Sequence, residues 1–99
     1  MPSSDFAHVT VVLPSLNPDE KLQKTVASLL AAGFTDLVLV NDGSREDTLR
    51  FFPKEDEHIT VLRHEVNRGK GAALKTAFRY VLEHLPDSPG VVTADGDGQ

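Results

Sequence analysis

The 99-residue sequence contains no cysteine, which excludes disulfide bridges and metal sites built from thiolates. Long apolar runs are also absent, because no stretch approaches the ~20 residues that cross a bilayer. Residues 1–6 are polar and lack the basic, apolar character of a secretory signal peptide, so a cytoplasmic location is expected. Positive charge is scarce, since 10 Lys and Arg face 15 Asp and Glu, for a net charge of -5. This balance argues against a protein that coats nucleic acid.

What the chain does contain is the composition of one soluble globular domain, with 39% hydrophobic and 25% charged residues. Four apolar runs alternate with helical segments, and this β-α-β-α-β-α-β order predicts an α/β fold of parallel strands joined by right-handed crossovers. We expect a Rossmann-like sheet in the strand order 3-2-1-4 with flanking helices. The predicted strands are His8–Leu13, Asp36–Val40, Ile59–Leu62 and Val91–Ala94.

Helix boundaries are predicted from capping residues and from apolar spacing. Asn17 is predicted as the N-cap of the first helix, with Pro18 at its first position and Glu20 completing a capping box. Ser44, followed by Asp47 one helical turn later, predicts a second cap. The longest predicted helix follows a glycine-rich loop, and its core-facing residues at helical spacing are Leu74, Ala77, Phe78, Val81, Leu82 and Leu85.

Two carboxylates directly follow the fourth predicted strand. Asp95 and Asp97 are separated by Gly96, whose conformational freedom lets the backbone bend. A strand that ends in two acids presents them at the carboxyl edge of the sheet, where open α/β sheets bind ligands. Carboxylates one residue apart can converge on a hard divalent cation. Taken alone, the stretch fits a surface turn as well as it fits a metal site, because Asp-Gly is common in turns.

Four motifs, taken in order, resemble those of a known enzyme family. They are Val12–Asn17 (Val-Leu-Pro-Ser-Leu-Asn), Val40–Ser44 (Val-Asn-Asp-Gly-Ser), Asn67–Leu74 (Asn-Arg-Gly-Lys-Gly-Ala-Ala-Leu) and Asp95–Gln99 (Asp-Gly-Asp-Gly-Gln). Their order and spacing are similar to those of the nucleotide-binding half of family 2 glycosyltransferases with the GT-A fold, and in particular of the dolichyl- or polyprenyl-phosphate sugar transferases. The resemblance covers nearly the whole chain from Val9 onward. It implies a glycosyltransferase that uses a nucleotide-diphospho-sugar donor, UDP- or GDP-linked.

The resemblance also implies roles for particular residues in nucleotide binding. Asp42 matches the aspartate that reads the base, usually a uracil or guanine ring. Pro14 and Leu16 match the loop that packs on the nucleoside, although many family members have an aromatic residue where Leu16 stands. Asn41 occupies a position where family members often have aspartate.

The metal site that the resemblance implies is the DXD motif. Asp95 and Asp97 match its two aspartates, which hold Mg²⁺ or Mn²⁺ on the diphosphate, and Asp95 and Gly96 count among the nucleotide-binding residues as well. Gln99 matches a metal-contacting glutamine of the polyprenyl-phosphate subgroup. A cation at this place stabilises the negative charge that grows on the leaving oxygen as the sugar bond breaks.

The same resemblance implies what the complete family fold adds. An acceptor-binding half follows the DXD motif and supplies the catalytic base of inverting members, so no catalytic residue is assigned here. The chain is expected to be a truncated nucleotide-sugar-binding domain, residues 1–99, that is inactive alone. The implied acceptor is a polyprenyl phosphate, which fits membrane association of a longer parent chain. The fourth strand, covered in the complete fold, is expected to be an exposed edge that recruits a second copy.

Other interpretations use the same residues. A non-catalytic nucleotide- or metal-binding module would use the same edge. A toprim-like phosphotransfer or nuclease domain needs a glutamate at the end of its first strand, where Pro14 stands, and an EF-hand calcium site needs a later glutamate. Arg68 and Lys70 face either the diphosphate or solvent. The histidines lack metal-ligand spacing and are interpreted as structural or exposed; they are His8, His58, His64 and His84.

Overall fold

The computed structural model of the chain describes residues 9–85 and 90–94, in which strands and helices alternate. The strands are β1 (Val9–Ser15), β2 (Asp36–Asp42), β3 (Ile59–His64) and β4 (Gly90–Thr93). The helices are α1 (Glu20–Ala31), a 3-10 helix (Glu46–Phe51) and α2 (Lys70–His84). β2 and β3 both run beyond the apolar residues that predicted them, so their polar last residues belong to the strands.

All four strands run parallel in the order β3-β2-β1-β4, which confirms the predicted α/β sheet. The register pairs Val11 with Leu37 across β1 and β2, and with Val92 across β1 and β4. The central strands β1 and β2 are almost entirely buried, as expected for a parallel sheet that is covered on both faces. Every strand therefore directs its carboxyl end toward the same edge of the sheet.

Alternate positions along the strands build two cores, one on each face of the sheet. Val11 and Leu13 of β1 lie on the face that packs against α1, whereas Val12 lies on the face that packs against α2. The first core consists of Val11, Leu13, Leu22, Val26, Leu37, Leu39 and Ile59. The second consists of Val12, Val38, Val40, Ala73, Ala77 and Val81. Packing on both faces holds the central strands in place, and with them the start of each loop at the carboxyl edge.

The buried face of α2 agrees with the predicted one in part: Ala77 and Val81 are buried, and Leu74 and Leu85 pack against the same core. Ala73, Ala77 and Val81 are buried, while Phe78 and Leu82, both predicted as core, are 38% and 77% exposed. Apolar spacing alone favoured the helix face that carries the larger residues Phe78 and Leu82. In the structure the smaller residues Ala73 and Ala77 face the sheet, and small side chains at the contact let a helix pack closely on its neighbour.

The start of α1 also differs from the prediction. Asp19, not Asn17, is the N-cap, and its Oδ1 accepts a hydrogen bond from Lys21 N at 2.9 Å. Asn17 has a positive φ of 50° instead and turns the chain between β1 and the helix. The capping box predicted with Glu20 is therefore wrong, and Glu20 is the first helical residue. A carboxylate at the cap is stabilised by the helix dipole as well as by the hydrogen bond, which favours Asp19.

Candidate functional site

The carboxyl ends of β1, β2 and β3 place three polar residues at one edge of the sheet. Ser15 ends β1, Asp42 ends β2 and His64 ends β3. Asp42 and His64 are direct partners in the register of the two strands. All three residues are buried, with exposed fractions of 3%, 4% and 7% respectively. Since buried polar groups need hydrogen-bonding partners, those partners define the geometry of this edge.

The carboxylate of Asp42 is the centre of the arrangement. Its Oδ1 accepts hydrogen bonds from His64 Nδ1 at 2.8 Å and from Arg68 N at 2.9 Å. Its Oδ2 accepts a hydrogen bond from Gly69 N at 2.9 Å. Gly69 is the N-cap residue of α2 and has no side chain to cap the helix. Asp42 therefore ties the end of β2 to the start of α2 and brings a negative charge to the helix N-terminus, where the dipole stabilises it.

His64 has a hydrogen-bonding partner at each ring nitrogen. Thr76 Oγ1 lies 2.8 Å from His64 Nε2 and 3.0 Å from Ala72 O. An ionised carboxylate only accepts, so His64 Nδ1 donates to Asp42. The pair therefore joins an imidazole N–H to a carboxylate, and a hydrogen bond with an ionised acceptor is a strong one.

The surroundings of Asp42 act on its pKa in opposite directions. Burial raises the pKa of Asp42, whereas the hydrogen bonds from Arg68 N, the His64 ring and Gly69 N lower it, and so does the charge of His64. The lowering contributions prevail, and the pKa of Asp42 lies below its ordinary value of 3.8. The carboxylate is therefore ionised at neutral pH although the residue is almost inaccessible to solvent.

A second set of hydrogen bonds joins the loops that follow β1 and β2. Asn17 N donates to Ser44 Oγ at 2.9 Å, and Arg45 N donates to Asn17 Oδ1 at 2.7 Å. Ser44 N in turn donates to Asn41 Oδ1 at 2.9 Å. Ser44 was predicted to cap the next helix, but Arg45 holds that position without a side-chain hydrogen bond. The prediction was wrong because parallel pairing of β1 and β2 brings their loops together and offers Ser44 a tertiary partner.

Pro14 and Leu16, both predicted to pack on a nucleoside, differ from each other in exposure to solvent. Pro14 is buried within β1, where it pairs with Val40, whereas Leu16 follows the strand and is 38% exposed. Leu16 is therefore the one that offers apolar surface at the edge. Between them, the buried Ser15 Oγ has no hydrogen-bond partner among the described residues. Sequence analysis did not single out Ser15, because one hydroxyl at the end of an apolar strand produces no distinct pattern.

Like Ser15, His64 is a site residue whose role was not predicted from the sequence. The histidines were interpreted only as structural or exposed. His64 is buried, and both of its partners are distant in sequence. It also lines a shallow depression together with Arg63, Glu65, Val66 and Arg68. The available signal was that His64 lies two residues after the third predicted strand, Ile59–Leu62, as Asp42 lies two residues after the second, Asp36–Val40.

Four predicted site residues lie outside the described part of the chain: Asp95, Gly96, Asp97 and Gln99. Ala94, the last described residue, follows β4, and its N donates to Val12 O at 2.9 Å. Within residues 9–85 and 90–94, no group of three or more His, Asp or Glu side chains is placed to hold a metal ion. Across the same ranges, none of the helices has the length and apolar character of a membrane span.

The fold places the chain among the α/β proteins with a parallel sheet, and its polar residues lie at the edge where open sheets of this class bind ligands. The family model for Glycosyl transferase family 2 matches residues 10–99. The chain therefore belongs to glycosyl transferase family 2, as the four motifs predicted.

Three individual relatives each match 92% of this chain. The chain is 35% identical over 91 residues to an uncharacterized protein of Methanocaldococcus jannaschii, covering 92% of this chain and 36% of the relative. It is 31% identical over 104 residues to a dolichyl-phosphate beta-glucosyltransferase of Trichomonas vaginalis, covering 92% of this chain and 31% of the relative. It is 24% identical over 106 residues to a UDP-N-acetylglucosamine–dolichyl-phosphate N-acetylglucosaminyltransferase of Methanococcus voltae, covering 92% and 41%. The chain thus spans between 31% and 41% of the length of these relatives.

Proposed function

We propose that this chain binds the nucleotide-diphospho-sugar donor and the divalent metal of a glycosyl transfer reaction whose acceptor is a polyprenyl phosphate. Membership of the family supports sugar transfer in general. Two relatives are named as dolichyl-phosphate transferases, and one of these names includes UDP-N-acetylglucosamine. Those names support a lipid phosphate as acceptor and a nucleotide sugar as donor. A lipid acceptor would also place the reaction of the whole protein at a membrane surface.

One observation carries the nucleotide part of the proposal. Asp42 is an ionised, buried carboxylate at the carboxyl edge of the sheet, and its surroundings lower its pKa rather than neutralise it. Such a group is suited to accept a ring N–H from a base, because it is charged and already oriented. The exposed side chain of Leu16, at the end of the neighbouring strand, adds apolar surface on which a nucleoside can pack.

The metal part of the proposal rests on the residues that follow β4. Asp95, Asp97 and Gln99 offer two carboxylates and an amide carbonyl, which are the hard oxygen ligands that Mg²⁺ and Mn²⁺ prefer. The net charge of -5 means that a diphosphate needs a local cation to approach. When bound, the metal would stabilise charge on the leaving diphosphate. The residues that hold it would fix where the diphosphate lies relative to Asp42.

A non-catalytic nucleotide-binding module is the second candidate. Asp42 and His64 are the buried titratable groups at the described part of the edge, and they are bonded to each other. Both candidates therefore use this edge for binding, and they differ in whether sugar transfer follows. Under this alternative, nucleotide binding would occur without sugar transfer in any longer protein that contains the chain.

Titration calorimetry tests the proposed function. We expect the chain to bind UDP or GDP weakly, and to bind more tightly when Mn²⁺ or Mg²⁺ is present. Asp97→Ala should abolish the metal enhancement, while Asp42→Ala should weaken nucleotide binding even without metal. Glu55→Ala is the matched control, because Glu55 is an exposed acid before the amino end of β3, on the opposite edge. Metal-independent affinity in the wild type would remove the DXD assignment, and absence of any nucleotide binding would contradict the proposal as a whole.

A further inference from the structure

The hydrogen-bonding capacity of Asp42 is nearly filled by the protein itself. An ionised carboxylate has about four acceptor positions, two on each oxygen. His64 Nδ1 and Arg68 N occupy both positions on Oδ1, and Gly69 N, which also donates to Asn67 Oδ1, occupies one on Oδ2. Among residues 9–85 and 90–94, no further donor meets Asp42, so one acceptor position on Oδ2 remains for a ligand.

The carboxylate is also restrained from turning to change this distribution. Arg68 N and Gly69 N are consecutive backbone donors at the start of α2, and they meet different oxygens of Asp42. A hydrogen bond with Thr76, whose Oγ1 lies 2.8 Å from Nε2, fixes the orientation of the His64 ring on the side away from Asp42. Because Asp42 and His64 are only 4% and 7% exposed, water has little access to replace a lost partner. Rotation of the carboxylate would break the hydrogen bonds from His64 and Arg68 and leave the buried ring N–H of His64 without its acceptor, which is unfavourable.

We propose that His64 is a positioning residue which, supported by Thr76, fixes Asp42 so that the site pairs with a base carrying a single ring N–H and selects uracil over guanine. This inference rests on the proposed nucleotide binding. Uracil presents one N–H between two carbonyl oxygens and needs one acceptor. Guanine presents a ring N–H beside an amino group, and pairing both requires the two oxygens of a carboxylate. With Oδ1 filled, the second guanine donor would stay unpaired in the site.

Calorimetry with UDP and GDP in saturating Mn²⁺ tests the selectivity. Both ligands contain the same ribose and diphosphate, so the ratio of their affinities reports on the base alone. The wild type should bind UDP about tenfold or more tightly than GDP, since an unpaired donor is costly in a buried site. Equal affinity for the two ligands would overturn the selectivity while leaving nucleotide binding intact. Failure to bind either ligand would instead overturn the proposed function.

Three variants test the positioning role. His64→Asn places an amide N–H near the position of Nδ1 and should keep both the UDP affinity and the UDP-to-GDP ratio. His64→Leu removes the donor at similar volume and should weaken UDP binding about three- to tenfold and lower the ratio. Thr76→Val keeps the imidazole but removes its second partner, and it should weaken UDP binding by a smaller factor. Thermal denaturation of each variant identifies any that fail to fold.

The outcomes separate the two parts of the proposal. Unchanged UDP affinity in a folded His64→Leu protein would overturn the positioning role, even if the wild type prefers UDP. If His64→Leu does not fold, the other two variants decide. Equal UDP affinities for His64→Asn and Thr76→Val would then contradict the proposal, and weaker binding by Thr76→Val alone would support it.

Discussion

Gly43 lies directly against the backbone at Asn67, where the loop before α2 crosses the end of β2. Its φ is +74°, and a Cβ at Gly43 would overlap Asn67 N and the carbonyl carbon of Val66. A glycine is needed here for two reasons, the left-handed backbone and the close approach of a second segment. The hydrogen bonds of Asp42 to the same loop depend on that approach.

We therefore expect Gly43→Ala to destabilise the protein by about 2 kcal/mol or more, because it combines left-handed strain with backbone overlap. Gly71→Ala is the matched control, since Gly71 lies within α2 and a Cβ there meets nothing within 4 Å. That control should leave stability unchanged or raise it by up to about 1 kcal/mol through helix propensity. Urea denaturation of the two variants measures the difference. Equal stability of the two would contradict the tight contact.

The hydrogen bonds between Asn17 and the loop after β2 lead to a second prediction. Asn17→Ala should lose the acceptor for Arg45 N and also strain a residue whose φ is 50°, at a combined cost of about 2 kcal/mol. Asn17→Gly loses the same acceptor without the strain and should cost less. Chemical denaturation of both variants separates the two contributions. Destabilisation by Asn17→Gly equal to that of Asn17→Ala would show that the backbone conformation contributes nothing.

The lowered pKa of Asp42 predicts how stability depends on pH. A group whose pKa is lower in the folded state stabilises the fold above its unfolded-state pKa, and that contribution is lost as pH falls through the folded-state pKa. At neutral pH, Asp42→Asn should reduce the free energy of unfolding by about 1.5–3 kcal/mol, because hydrogen bonds to a charged group are lost. The gap between wild type and variant should stay constant above about pH 5 and shrink below about pH 4. Denaturation across this range measures it, and a gap independent of pH would contradict the assignment.

The exposed edge strand β4 leads to the prediction that copies of this 99-residue chain associate with one another. β4 ends the sheet among the described residues, and its Val91 and Val92 are 39% and 47% exposed. An apolar edge strand tends to pair with another chain, so we expect dimers or larger species. Val92→Lys should shift the mass toward monomer, whereas Leu82→Lys, on the exposed flank of α2, should not. Light scattering after gel filtration measures the mass. A monomeric wild type over a wide concentration range would contradict the prediction.

Much of the fold was accessible from the sequence, because its signals are local. Apolar runs bounded by Pro14 and by Gly or Asp residues predicted four strands, and their alternation with helical periodicity predicted a parallel sheet. The same pattern placed Asp42 just after the second predicted strand, Asp36–Val40, and the structure extends that strand through Asp42. Local patterns predicted the helix cap less reliably, because several neighbouring residues could act as the N-cap. Asn17 and Asp19 both suit an N-cap, and only the course of the chain after β1 decided between them.

The site itself depends on tertiary structure, because its hydrogen bonds join residues far apart in sequence. Asp42 meets His64 only because β2 and β3 are parallel and in a register that makes them partners. Thr76 reaches His64 only because Ala73 and Ala77, not the larger residues beside them, face the sheet and set how α2 lies on it. The amino-acid sequence by itself determined which elements form and which polar residues lie near the carboxyl ends of the strands. Strand register and helix rotation, which are set by packing, decided which of those residues bond to one another.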